Sequence, residues 1–77
     1  MENNLCLIIS FFQKQRIETV VNMQYFKKAF YDSYSNDILL VLEFADFKIH
    51  HHCNKRINLN VLIKAFQGYE VNLQDLE

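Results

Sequence analysis

Hydrophobic and polar positions in this 77-residue chain alternate with a period of two along most of its length and switch to a helical period in two places. From Leu5 to Phe12 one face carries Leu5, Leu7, Ile9 and Phe11, and the other carries Cys6, Ile8, Ser10 and Phe12. One face is wholly apolar and the other nearly so, which predicts an interior strand covered on part of both sides. Gln13-Lys14-Gln15 is a short polar break. From Arg16 to Asn22, Ile17, Thr19 and Val21 alternate against Glu18, Val20 and Asn22. The β-branched residues favour a strand, so the two runs form a hairpin. Ile17, Val20 and Val21 also fit a helical start, which is the competing assignment.

Between Met23 and Tyr34 the period changes. Met23, Phe26, Phe30 and Tyr34 are spaced by three, four and four, one stripe of a helix with Asn22 as its N-cap. Ser35-Asn36-Asp37 signals a turn. Ile38 to Phe44 is the strongest strand pattern, with Ile38, Leu40, Leu42 and Phe44 on one face. Ala45-Asp46 makes either a two-residue turn or a bulge in one long strand, and a strand follows from Phe47 to Cys53. Leu59, Leu62, Ile63 and Phe66 then define a second helix, capped by Asn58 and ended by Gly68 in the left-handed C′ position. Residues 71–77 read as a frayed polar tail.

The order is therefore ββαββα, a small α+β domain spanning 1–77 with a mostly antiparallel four-stranded sheet and two helices on one face. A 77-residue domain has little interior, yet 51% of the residues are hydrophobic and eleven are Phe or Tyr. With both helices on one side, the other sheet face would present Thr19 or Val20, Leu39, Val41 and part of the Phe47–Cys53 strand, and a second polypeptide would have to cover them.

Charge and cysteine content narrow the class. A net charge of −1 argues against a phosphate-gripping protein. A stripe of Lys14, Arg16, Lys27, Lys28, Lys48, Lys55 and Arg56 leaves weak nucleic-acid binding as an alternative. No glycine-rich loop cradles phosphates. Cys6 and Cys53 fall short of a disulfide scaffold, which points to a cytoplasmic protein. The apolar run at Leu5–Phe12 has Glu2 before it and Lys14 and Arg16 after it, unlike a signal peptide. It is also too short to span a bilayer.

Candidate chemistry concentrates in His50-His51-His52-Cys53, which holds all three histidines. His50 and His52 are two apart on a strand and share a side, roughly 6.5–7 Å apart along it. That pair is the candidate metal site, for Zn²⁺ completed by a second subunit, or a pH-responsive contact. Cys53 shares a face with His51, but no third group orients a base beside it, so catalysis is not expected. Without a catalytic motif or cofactor signature, the sequence predicts a non-enzymatic protein-binding module. Such a module is a homodimer, or a small inhibitor or subunit that works by steric occlusion. The Asn-, Lys- and Ile-rich composition fits a phage or other mobile element. The candidate partner-binding residues are Tyr25, Tyr31, Tyr34, Tyr69, Lys48, His50 and His52, since tyrosine is common at protein contacts.

Overall fold

The computed structural model describes residues 4–77. Strands β1 (Leu5–Phe12) and β2 (Gln15–Asn22) form the expected hairpin, paired from Leu5↔Asn22 to Phe12↔Gln15 without a register break. Its two-residue turn holds both Gln13 and Lys14 at positive φ, 50° and 66°. This is the primed geometry that matches strand twist, here made without glycine. A single 3₁₀ turn (Met23–Tyr25) leads into β3 (Phe26–Tyr31). Strands β4 (Ile38–Phe44) and β5 (Lys48–Cys53) follow, joined through Ala45-Asp46, where the Phe44 N–H donates to the Phe47 carbonyl. Helix α1 (Leu59–Ala65), strand β6 (Glu70–Asn72) and a closing 3₁₀ turn (Leu73–Leu76) complete the chain.

The strands make two three-stranded sheets. One has the order β2-β1-β6 with β6 parallel to β1, and the other is antiparallel with the order β3-β4-β5. Cys6, Ile8 and Val21 from the first meet Leu40, Leu42, Phe44 and Ile49 from the second. Leu62 and Phe66 of α1, with Ile57, Val71 and Leu73, fill the rest of this core. The α+β class stands, but a single four-stranded sheet carrying two helices does not. There are six strands in two sheets and one α-helix among the described residues.

The expected helix over Met23–Tyr34 is the main correction. Asn22 does cap a helical segment, its Oδ1 accepting from the Gln24 N–H, but that segment is one 3₁₀ turn. The chain then extends and pairs with β4, and a bulge between Phe26 and Lys28 shifts the register. Phe26 lies opposite Phe44 and Ala29 opposite Leu42, so two inward positions sit three residues apart rather than two. A bulge inserts one residue into the alternation, which reproduces the spacing of a helical turn. Tyr34, the last residue of the supposed stripe, is 96% exposed.

Two smaller corrections concern the C-terminal third. Gly68 does not take the left-handed conformation, and no glycine has positive φ. The helix ends instead with Phe66 still in the right-handed region and with a tightened turn in which the Gly68 N–H donates to the Ala65 carbonyl. Residues 71–77 are not a frayed tail either. Val71 and Leu73 are buried in the core, and β6 pairs with Leu7–Ile9. A three-residue strand with one inward side chain offers no periodicity to read.

Candidate functional site

The hairpin geometry dictates which backbone groups need partners. In a two-residue hairpin the closing pair, Phe12–Gln15, is hydrogen-bonded, and such pairs recur at every second position. The even residues of β1 therefore bond to β2, and the odd ones turn their N–H groups to the opposite edge. Strand β6 covers that edge beside Leu7–Ile9, and the Leu7 N–H donates to the Tyr69 carbonyl. Beyond Ile9, β6 has ended. Two histidine side chains replace it: the Phe11 N–H donates to Nδ1 of His51 at 2.9 Å, and the Gln13 N–H donates to Nδ1 of His52 at 3.0 Å. The imidazoles thus stitch the free edge of β1 to β5 and join the two sheets.

These bonds fix the tautomers. A ring nitrogen that accepts an N–H carries no proton, so each neutral imidazole is protonated at Nε2. In His51, Nε2–H donates to Oε1 of Glu77 at 2.9 Å, and the other carboxylate oxygen accepts from the Asn54 N–H at 3.1 Å. His51 is 1% exposed. Burial pushes its pKa below the ordinary value of 6.5, and the Glu77 carboxylate only partly offsets this. Protonation at Nδ1 would also set two donors against each other at Phe11. Aromatic rings enclose the seam. Phe12 lies against both His50 and His52, with centroids 5.8 and 4.5 Å away, and Phe11 meets the His51 ring edge-on.

Cys53 completes the cluster. Its sulfur, a His51 ring nitrogen and a Glu77 carboxylate oxygen all lie within 4.8 Å of one another. Histidine, thiol and carboxylate are a plausible donor set by type. Their protonation is unfavourable, however. A metal needs the lone pair of Nε2, and that atom holds the proton as long as Nδ1 accepts from Phe11. Burial, followed by the Glu77 charge, raises the Cys53 thiol to about 11, so it is not a thiolate near neutrality. The same bonding argument applies to the His50/His52 pair, because Nδ1 of His52 is engaged by Gln13. Neither arrangement supplies an activated nucleophile or base: His51 uses both ring nitrogens, and Cys53 holds its proton.

The partner-binding candidates separate into groups. Tyr34, Lys48 and His50 line one shallow groove of about 300 Å³ on the outer face of the β3-β4-β5 sheet, floored by Phe30 and Val41. Tyr31 also borders it, but its hydroxyl is spent on the backbone of Ile57. It accepts from the Ile57 N–H and donates to the Ile57 carbonyl, with the Arg56 guanidinium over the ring. Tyr25 and Tyr69 are exposed in separate connections, at the 3₁₀ turn and before β6. Sequence reasoning missed Glu77, Phe11 and Gln13. The partners lie 26, 40 and 39 residues apart, and two of the three are backbone donors, which carry no residue-type signal.

No family model matches this chain, and no curated protein or solved structure is significantly similar to it. No helix among the described residues is long and apolar enough to cross a membrane.

Proposed function

We propose that this chain is a non-enzymatic protein-binding module, a small inhibitor or subunit that acts by covering part of a partner. The observation that carries this reading is the outer face of β3-β4-β5. There Phe30, Tyr34, Lys48 and His50 surround a shallow groove; Leu39 and Val41, expected to be bare on this face, are only 8% and 3% exposed, so the two aromatic rings supply its apolar surface. A central apolar patch with a polar rim is the anatomy of a protein contact. The chemistry of the histidine tract points the same way, because His51 and His52 spend Nδ1 in joining the sheets and Cys53 holds its proton. The basic residues are not mustered for a phosphate backbone: Arg16 pairs with Glu18, Lys28 with Glu43, and Arg56 stacks on Tyr31.

The test is affinity capture from the source organism with the full chain as bait, beside a variant carrying Tyr34→Asp and Lys48→Glu. The expected result is a stoichiometric partner retained by the wild type and lost by the variant. Equal retention by both would remove this face from the account.

A further inference from the structure

The open edge of β2 is the longest regular strand edge left without a partner among the described residues. By the hairpin geometry, Arg16, Glu18 and Val20 turn their backbone N–H and C=O groups away from β1, and none of these groups is hydrogen-bonded to another described residue. Of the other three outer strands, β6 is only three residues long, β5 faces the β1 edge through its histidine side chains, and β3 is blunted by a bulge and by Lys27 and Lys28. Bulges and lysines are the usual defences against edge-to-edge pairing. Strand β2 has neither a bulge nor a proline nor a lysine, and its register is unbroken over eight residues.

Resting on the reading of this chain as a protein-binding module, we infer that β2 pairs antiparallel with β2 of a second copy about a two-fold axis at Ile17. The occupant is specified by charge. Arg16 and Glu18 share one face, 3.6 Å apart, with both side chains about half exposed. Antiparallel pairing centred on Ile17 sets Arg16 opposite Glu18 of the copy, and the reverse, in hydrogen-bonded pairs. The four charges then alternate in sign. Centring on Glu18 would oppose two carboxylates, and centring on Thr19 would leave both charges without a counterpart. Opposite charges directly across a ladder stabilise it and like charges destabilise it. Arg16-Ile17-Glu18 is therefore complementary to itself in one register only. Ile17, 38% exposed, meets its own copy on the other face. The net charge of −1 puts no long-range repulsion between copies. The product is a continuous sheet of six strands, β6-β1-β2 and its two-fold mate.

The contact is five residues long on each side, so the dimer is a weak one. Sedimentation velocity of the full chain between 1 and 300 µM reads it. The wild type is expected to move from monomer to dimer across this range. Arg16→Glu, which opposes four carboxylates, is expected to weaken association about tenfold or more. Glu18→Arg does the same, and the double exchange restores dimerisation with unchanged circular dichroism. As a register test, Ile17→Cys cross-links on mild oxidation, because the two-fold lies in a non-hydrogen-bonded pair whose spacing suits a disulfide. Thr19→Cys and the wild type do not. A wild type that stays monomeric at 300 µM overturns the inference, and so does a dimer indifferent to Arg16→Glu. Both results leave the capture experiment on the β3-β4-β5 face unaffected, so the two proposals fail separately.

Discussion

Replacing His51 by leucine removes the acceptor for the Phe11 N–H and the donor to Glu77 while keeping an apolar side chain in the space. An orphaned, largely buried N–H costs about 1–3 kcal/mol, and a hydrogen bond to a charged group contributes about 1.5–3 kcal/mol. The Glu77 side chain is only 7% exposed, so water does little to replace the lost donor, although the Asn54 N–H remains. Leucine regains about 1–2 kcal/mol through its own burial. The net expectation is a loss of about 2–4 kcal/mol, against a total of about 4–12 kcal/mol for a 77-residue domain. Urea unfolding at pH 7 measures it. With an m-value of about 1–2 kcal/mol/M, the midpoint falls by about 1 M or more. His51→Asn should cost less, because its side-chain oxygen can stand where Nδ1 stands. The pH dependence has a definite sign. The folded pKa of His51 lies below its unfolded value, so below pH 6.5 the unfolded chain takes up a proton that the folded chain refuses. Wild-type stability therefore declines as pH drops from 6.5 toward the lowered folded value, and His51→Leu loses that component of the slope. A leucine variant within about 0.5 kcal/mol of wild type, or one with an identical pH profile, would refute the reasoning.

Three further outcomes follow from local geometry. Gln13-Lys14→Asn-Gly should stabilise the hairpin by about 1–2 kcal/mol, read by thermal unfolding, because both residues sit at positive φ and this dipeptide adopts the turn at less cost. Gly68→Ala should be neutral or stabilising by up to about 1 kcal/mol, since φ is not positive and the new Cβ would lie 3.5 Å from the Ala65 carbonyl; a loss above about 1 kcal/mol would contradict the observed helix ending. Cys53 in the folded protein should resist iodoacetamide at pH 8, where a thiol raised to about 11 is roughly one-thousandth ionised, and should react quickly in denaturant.

The first hairpin, β4, β5 and α1 were legible because each is long enough for its period to show and its end residues carry known chemistry. Asn22 and Asn58 were readable as caps whatever helix they capped, since a side-chain oxygen two residues before an amide serves a 3₁₀ turn and an α-helix alike. Strand β3 was not legible, because its bulge breaks the period of two: Phe26 faces the core and Phe30 the outer groove, yet their spacing of four reads as one helical stripe. Strand β6 was not legible, because its stability comes from the β1 edge rather than from its own three residues. The histidine tract drew attention by residue type, but its role depends on where β6 stops, which is a property of the assembled sheet. From sequence, three adjacent histidines and a cysteine imply ligands. In the fold, two of them are acceptors for backbone amides, and their lone pairs are already committed.

The central claim is that the His51 and His52 imidazoles are committed to the fold, which is why the proposal looks to the surfaces instead. Long-range ¹H–¹⁵N correlation spectra of the histidine rings at pH 7 test it most directly. The account predicts that His51 and His52 are both protonated at Nε2 and bare at Nδ1, with spectra unmoved by equimolar zinc. A proton on Nδ1 of either ring, or a zinc-induced shift of the His51 nitrogens, would contradict it.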